Sequence, residues 1–337
     1  MNAVLFAFTE RGKATAKRIA AELGPEGCAL RAPARLRDGD FEAYEGALPE
    51  YTGTVFDRDA LIFVGAAGIC VRAIAPHAAS KRSDPAVLCV DEAGQFVIPL
   101  LSGHIGGANA LARRLAAALG ATPVITTATD VNGRFSVDTW ATEHHMAITS
   151  MALAKRVSAE ILTRDIPIWS DAPRPERLAE GLVWSDEGEL GICVSPRDMR
   201  PFEHTLLLVP RALRVGLGCR RGIPAEAIGV AVSKVFQDNG LRPEAVAEAA
   251  SIDVKSDEAG LLEYCRERGW PVEFLSAERL NAVPGEFSKS NFVRNTVGVD
   301  NVCERAAAAS GGKLIAPKTA ISGVTVAVAE LKWGIEF

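Results

Sequence analysis

The 337-residue sequence contains no CxxC pair, no apolar stretch of the ~18 residues that a membrane span needs, and neither a GxGxxG dinucleotide fingerprint nor a P-loop. Each absence removes a class of function. The seven cysteines (Cys28, Cys70, Cys89, Cys193, Cys219, Cys265 and Cys303) are odd in number and scattered, which disfavours a zinc cluster and fits reduced thiols in a cytoplasmic setting. The formal net charge of −5 argues against a dominant role in binding nucleic acid. Residues 1–8 are too short for a signal-peptide core and are followed by acidic Glu10, so the expectation is a cytoplasmic chain without membrane contact. There is no repeat at solenoid spacing and no low-complexity segment. No histidine follows His204, so a Cys–His pair built on a later cysteine would need its imidazole from the first half.

What is present is the composition of an ordinary globular protein, with 48% hydrophobic and 23% charged residues. The length suggests about two domains. Residues 1–140 read as an α/β unit. Short apolar strands are expected at 3–8, 61–64, 87–90, 95–101 and 123–127, with helices over 13–23, from Gly68 to about 75, and over 109–119. The alternation predicts mostly parallel sheets. Gly12 is expected in a turn, and Asp91-Glu92-Ala93-Gly94 forms another. Over 141–211 the pattern weakens into short apolar runs separated by Pro, Asp and Gly, which reads as a smaller β-rich connector or a small middle domain. Residues 212–337 read as a second α/β unit. A strand at 213–217 leads to a helix from Pro224 to 237, and a second helix ends at Gly269. Strands follow at 271–275, 313–315 and 324–329, with a helix at 301–309 before the last two.

The richest segment is Ser102-Gly103-His104-Ile105-Gly106-Gly107-Ala108-Asn109, between an apolar run and a helix. Glycines there leave backbone N–H groups open to an anion at a helix start, and His104 can exchange a proton near neutral pH. The plainer alternative is a histidine that caps the helix or bonds within the core. Gly65-Ala66-Ala67-Gly68 opens a second strand–loop–helix junction, where Arg72 is either an anion partner or a solvated side chain. His77, Lys81 and Asp84 lie on one connection, and Asp84-Pro85 is also a common turn signal. Asp91 ends a strand, as a functional carboxylate or a turn residue. Thr127 and Asp130 close the first unit with polar groups suited to a substrate or to a local turn. In the second unit Gly216-Leu217-Gly218-Cys219-Arg220-Arg221-Gly222 reads as an anion-binding loop with Cys219 incidental, because arginine recognises carboxylates bidentately. Lys255 either faces the same cleft as Arg220 or belongs to a helix cap with Glu258. His144-His145 has no third ligand at a convincing spacing, so no metal site is expected.

Together these segments resemble one family. In the first half they are Gly68, Val71-Arg72, Ala75-Pro76, Lys81, Asp84-Pro85-Ala86-Val87, Asp91, Gly94, the residues from Leu100 to Asn109, and Val124-Ile125-Thr126-Thr127 with Thr129-Asp130. In the second half they are Val215 to Gly222, Lys255 with Glu258, Gly298-Val299 with Glu304, and the ending from Leu314 through Lys318 to Ala329. The family is the cobalt-precorrin-5A hydrolases of anaerobic cobalamin biosynthesis, and the resemblance is weakest over 140–210. It implies a cobalt-containing, partly contracted tetrapyrrole substrate bearing a δ-lactone. Water opens the lactone, the extruded carbon leaves with its methyl group as acetaldehyde, and cobalt-precorrin-5B results. Cobalt arrives within the substrate, so neither cofactor nor protein metal site is implied.

Within that resemblance the expected proton carriers are His104, with Asp84 or Asp91 as its partner. The expected substrate contacts are Gly68, Arg72, Lys81, Ser102, Gly103, Gly106, Gly107, Asn109, Thr127, Asp130, Gly218, Cys219, Arg220 and Lys255. The amides around Gly106 and Gly107 are expected to face the oxyanion. The partner expected is the small-molecule cobalt-precorrin, with transient contact to other enzymes of the pathway and a homo-oligomer as further expectations. A non-catalytic tetrapyrrole carrier of the same pathway is the alternative.

Overall fold

In the computed structural model, which describes residues 1–80, 83–103 and 106–337, the chain divides into two units, Met1–Thr139 and Trp140–Phe337. The first is built on a seven-stranded sheet. Its strands are β1 (Ala3–Ala7), β2 (Cys28–Ala32), β3 (Glu42–Ala43), β4 (Ala60–Val64), β5 (Ala86–Val90), β6 (Phe96–Leu101) and β7 (Thr122–Pro123), in the order β3-β2-β1-β4-β5-β6-β7. All neighbours are parallel except β5 and β6. The central strands β1, β4 and β5 are buried along their whole length, because helices cover both faces.

Alternation along these strands sorts the side chains. Leu5, Ile62 and Leu88 face α1 (Glu10–Leu23) and α4 (Ala108–Leu119). Phe6, Leu61, Phe63 and Val87 face α2 (Leu48–Thr54) and α3 (Ala67–Ile74). Phe6 and Phe63 stack at 4.6 Å. Each such side chain contributes about 2 kcal/mol by leaving water. Helix α1 buries Ala16, Ile19 and Ala20, the expected face. It begins earlier than the sequence pattern suggested. Thr9 caps it by accepting from Gly12 N–H at 2.9 Å, so Gly12 lies in the first turn of the helix. The strand expected over 123–127 is reduced to Thr122–Pro123, and Thr127 instead caps the short α5 (Ala128–Val131).

The second unit starts within α6 (Val137–Glu143) and holds two five-stranded sheets. The first contains β8 (Ala147–Ile148), β9 (Ile166–Ser170), β10 (Leu182–Trp184), β11 (Leu190–Val194) and β12 (His204–Val209), ordered β10-β9-β11-β12-β8, with α7 (Met151–Glu160) beside it. Only β8 runs antiparallel to its neighbour. The stretch over 141–211 thus supplies the strands of one sheet.

The second sheet contains β13 (Leu213–Cys219), β14 (Val246–Ile252), β15 (Val272–Leu275), β16 (Lys313–Ile321) and β17 (Val324–Glu330), ordered β15-β14-β13-β17-β16. β13, β14 and β15 are parallel; β17 and β16 are antiparallel additions. Helices α8 (Ala225–Asp238) and α9 (Ala259–Arg268) pack on one face. On the other lie α10 (Ala277–Ala282) and α12 (Cys303–Ala308), with α11 (Asn291–Val297) between them in the chain. Strand β13 touches α12 so closely that a Cβ on Gly216 would stand 1.8 Å from the Cys303 carbonyl oxygen. Only glycine fits there. Buried Arg214 ties the same strand to the Ala306 carbonyl at 2.9 Å and to the carboxylates of Glu248 and Glu273. Among the described residues no helix is long and apolar enough to cross a membrane.

Candidate functional site

The direction of β6 decides which candidate residues can act together. Strand β5 runs parallel to β1 and β4, but the turn at Asp91 sends β6 back antiparallel, pairing Val90 with Val97 and Val87 with Leu101. The loop after β6 therefore emerges beside the N-terminal end of β5. Ser102 Oγ donates to the Asp84 carbonyl at 2.8 Å across that edge. Strand β7 is parallel to β6, so Thr127 and Asp130 arrive at the same edge.

Around this loop the backbone is tightly specified. Ser102 holds φ +56°, a left-handed value that is uncommon outside glycine. Its carbonyl accepts from Ala108 N–H at 3.1 Å, and the Gly103 carbonyl accepts from Asn109 N–H at 2.9 Å. These two bonds already use amides at the start of α4 that the glycine pattern suggested were open to an anion. The amides of Gly106 and Gly107, in contrast, have no acceptor among the described residues. A Cβ on Gly106 would stand 2.3 Å from Ser102 Cβ, and Gly107 caps α4 at φ +77°. Both glycines are thus required by geometry.

Buried Asn109 fastens the loop to the end of the unit. Its Nδ2 donates to Thr127 Oγ1 and to Asp130 Oδ2, both at 3.0 Å. Arg113, one turn along α4, pairs with the other Asp130 oxygen. Sequence reasoning missed Arg113; its spacing of i+4 from Asn109 is the signal that places both on one helix face. The Asp84 carboxylate lies on the same edge, where it accepts from Ala79 N–H and Ser80 N–H, each at 3.0 Å. His104 and Lys81 lie outside the described residues.

The other edge of this sheet carries a different set. The C-terminal ends of β1 and β4 adjoin where the strand order reverses, the position at which open α/β sheets bind ligands. Here a Cβ on Gly65 would stand 2.8 Å from the Phe8 ring, so the β4–α3 loop passes close over the loop after β1. Helix α3 starts at Ala66 without a side-chain cap. The Arg72 guanidinium folds back over its first turn, 3.4 Å from where a Gly68 Cβ would be. Arg72 is exposed and has no ion-pair partner among the described residues.

Asp91 is on this edge too. Its carboxylate accepts from Ala93, Gln95 and Phe96 N–H at 3.0, 2.7 and 2.6 Å, and so shapes the β5–β6 turn. The five residues of β5, about 16 Å at ~3.3 Å each, separate it from Ser102 and Gly103. Asp91 thus stands at the opposite edge from Ser102, Gly103 and Asp84. The sequence did hold the warning. The five-residue connection from Asp91 to Gln95 is short enough only for antiparallel strands, whereas a parallel crossover needs a dozen or more.

In the second unit β13 ends at Gly218 and Cys219, beside the ends of β14 and β15 and the starts of α8 and α9. A Cβ on Gly218 would meet Thr325 Oγ1 at 2.6 Å. Arg221 is tied to both Asp257 oxygens at 3.0 Å and to the Val254 carbonyl. Arg220 is exposed and has no ion-pair partner among the described residues. Lys255 donates to Glu258 at 3.1 Å, and Glu258 also accepts from Gly222 N–H at 2.6 Å. Burial pushes the Glu258 carboxyl up, but Gly222 and Lys255 outweigh it and hold it below its ordinary value. Lys255 is therefore paired, and among the described residues Arg220 is a cation of this edge without an ion-pair partner.

Burial raises the Cys219 thiol, against the pull of nearby Lys255, which disfavours the thiolate form that a nucleophile needs. A further buried cluster was not legible by pattern. Glu304 accepts from Asn301 Nδ2 at 2.7 Å, from Ser288 N–H at 2.8 Å and Oγ at 3.1 Å, and from Lys318 N–H at 2.8 Å. Its carboxylate is fully occupied in pinning β16 to α12. Among the described residues, no three His, Cys, Asp or Glu side chains gather as metal ligands would.

Residues 51–130 match the cobalamin synthesis G N-terminal family, and residues 213–329 match the cobalamin synthesis G C-terminus. The cobalt-precorrin-5A hydrolase of Salmonella typhimurium is 38% identical over 339 residues, covering 96% of this chain and 95% of its own. The cobalt-precorrin-5A hydrolase of Priestia megaterium is 30% identical, covering 87% and 84%. A solved structure of a putative cobalamin biosynthesis protein G homologue from Sulfolobus solfataricus aligns over 98% of this chain and 97% of its own, with 23% identity and a TM-score of 0.41. With both halves matched and a relative this similar along its full length, the chain belongs to the cobalamin synthesis G family, that of the cobalt-precorrin-5A hydrolases.

Proposed function

We propose that this protein opens the δ-lactone of cobalt-precorrin-5A with water and releases acetaldehyde, leaving cobalt-precorrin-5B. The observation that carries this reading is the 38% identity to a hydrolase of that name across 96% of the chain. In the proposal the cobalt belongs to the substrate, no cofactor is used, and the protein works in the cytoplasm, as a homo-oligomer and in transient contact with other enzymes of the pathway.

The substrate carries many acetate and propionate groups, and the open cations suit it. Arg72 beside the uncapped start of α3 and Arg220 beside α8 would each hold a carboxylate. Lactone opening needs an activated water and stabilisation of an oxyanion. The amides of Gly106 and Gly107, which have no acceptor among the described residues, suit the oxyanion, and His104 is the proposed general base or acid. Asp84, on the same edge as Ser102 and Gly103, is preferred to Asp91 as its proposed partner. Ser102, Gly103, Asn109, Thr127 and Asp130 would shape the loop against the substrate, with Lys81 as a further carboxylate contact. Gly218, Cys219 and Lys255 would line the edge around Arg220.

Incubating the protein with cobalt-precorrin-5A and trapping acetaldehyde tests the proposal. Stoichiometric release with loss of the lactone is the expected result. Tight binding of the precorrin without acetaldehyde would overturn the hydrolase reading in favour of a carrier.

A further inference from the structure

Two adjoining cavities in the second unit, of about 540 and 730 Å³, share His145, Met146 and Arg211. The smaller extends to Arg268 and Trp270, and the larger to Trp333. None of these residues belongs to the edges described above. Arg211 is exposed and has no ion-pair partner among the described residues. Arg268 has no carboxylate partner there either and lies over the Tyr264 ring at 5.6 Å. The one acidic side chain lining the concavity, Glu244, is engaged by Arg242 at 2.7 Å. The concavity therefore carries uncompensated positive charge.

His145 adds an independent sign. It occupies φ +53° at the end of α6, where Met146 N–H bonds back to the Ala141 carbonyl at 2.8 Å. Glycine is the usual residue in that cap, because its backbone accepts the left-handed turn without strain. An imidazole is kept there instead, exposed and facing the concavity that Arg211 lines.

We propose that this concavity is a second binding site for a flat conjugated molecule carrying several carboxylates. Cations at Arg211 and Arg268 would take separate carboxylates, and the half-buried indole of Trp333, with the accessible edge of buried Trp270, offers apolar surface. A small di- or tricarboxylate would satisfy the cations but not span both cavities. The reaction's own macrocycle has this chemistry, so the site would hold substrate or product away from the reacting edge. In that identification the inference rests on the hydrolase reading.

The test uses the full-length chain and uroporphyrin, a planar octacarboxylate, titrated calorimetrically, with citrate as the small competitor. Wild type should bind two equivalents. Arg211→Ala with Arg268→Ala should bind one, with the lost site weakened at least ~10-fold, and acetaldehyde release at saturating cobalt-precorrin-5A should be unchanged. His145→Gly, which relieves the backbone, should fold at least as stably and still weaken the second site. A wild-type stoichiometry of one, or two sites persisting in the double variant, would overturn the proposal. Displacement of uroporphyrin from that site by citrate at equal affinity would overturn its planar-ligand part. Two-site binding without acetaldehyde release would refute the hydrolase reading and leave this site standing.

Discussion

Replacing Asn109 with alanine should loosen the loop that follows β6, and the size of the effect can be worked from its bonds. Asn109 Nδ2 makes one bond to a neutral hydroxyl and one to a carboxylate. A neutral bond is worth ~0.5–1.5 kcal/mol and a bond to a charged group ~1.5–3. Arg113 remains on Asp130, which softens the loss. A net cost of about 2–3 kcal/mol follows, or a fall of roughly 4–12 °C in melting temperature for a unit of this size. Asn109→Asp is the sharper probe. It sets a second carboxylate against Asp130, and two carboxylates in one site cannot both ionise freely. The pair's folded pKa is then raised above the ordinary value of ~3.9. A raised carboxyl favours folding only below its ordinary pKa and loses that advantage as pH rises, so this variant should lose stability between about pH 4 and 7 while the alanine variant stays level. Calorimetric melts of the full-length chain across that range measure both. An alanine variant that melts within ~1 °C of wild type would refute the tie, as would a flat pH profile for the aspartate variant.

Four further outcomes are expected. His104→Ala or His104→Gln should cut acetaldehyde release at least ~100-fold if this residue moves the proton, and near-normal release would remove it from the mechanism. Cys219→Ser should keep kcat within ~3-fold, since burial disfavours the thiolate; a loss of several hundredfold in single-turnover assays would revive a nucleophile. Glu258 has a lowered folded pKa, so its contribution is present above the ordinary glutamate value and lost as pH falls through the folded one. Glu258→Gln should accordingly flatten the acid side of the stability profile below about pH 5, and a profile matching wild type would contradict this. Arg72→Ala should raise KM about 10-fold with little change in kcat, and its effect on kcat/KM should add to that of Asn109→Ala within ~0.5 kcal/mol, because the two lie at opposite edges of the sheet. Strong coupling in that cycle would show that the edges act as one site.

How much the sequence revealed varied with the kind of signal. Continuous apolar runs such as Leu61 to Val64 are nearly unambiguous, because only a strand covered on both faces tolerates them, and β4 fills that role. Strand β14 went unforeseen. Its Val-Ala-Glu-Ala-Ala-Ser-Ile sequence has high helix propensity and little bulk, and its burial comes from α12 and the strands on either side. Charges were the least legible. Nothing in the order Arg220-Arg221 distinguishes them, yet Asp257, distant in sequence, neutralises the second and leaves the first open. The glycines divide likewise. Gly216 and Gly106 are forced by contacts a Cβ would violate, a reason that no spacing could disclose.

The reversal of β6 has the largest consequence for chemistry. A glycine-rich loop after a strand and before a helix reads the same whichever way its strand runs. In this sheet β6 returns antiparallel to β5 through a short turn in which the Asp91 carboxylate accepts three backbone N–H bonds. That turn separates the residues that looked like one constellation. The switch-point edge keeps Gly68 and Arg72, groups suited to holding a carboxylate without changing its protonation. The opposite edge keeps Ser102, Gly103 and Asn109 with Asp84 and Asp130, beside the Gly106 and Gly107 amides that have no acceptor among the described residues. The proposed carboxylate contact at Arg72 and the edge of Ser102 and Gly103 thus lie at different ends of the same strands, about 16 Å apart at ~3.3 Å per residue of β5. A single small ligand cannot reach both. The two edges can serve one reaction only through a broad ligand with carboxylates spread around its rim, and the substrate of the cobalt-precorrin-5A hydrolases has that shape.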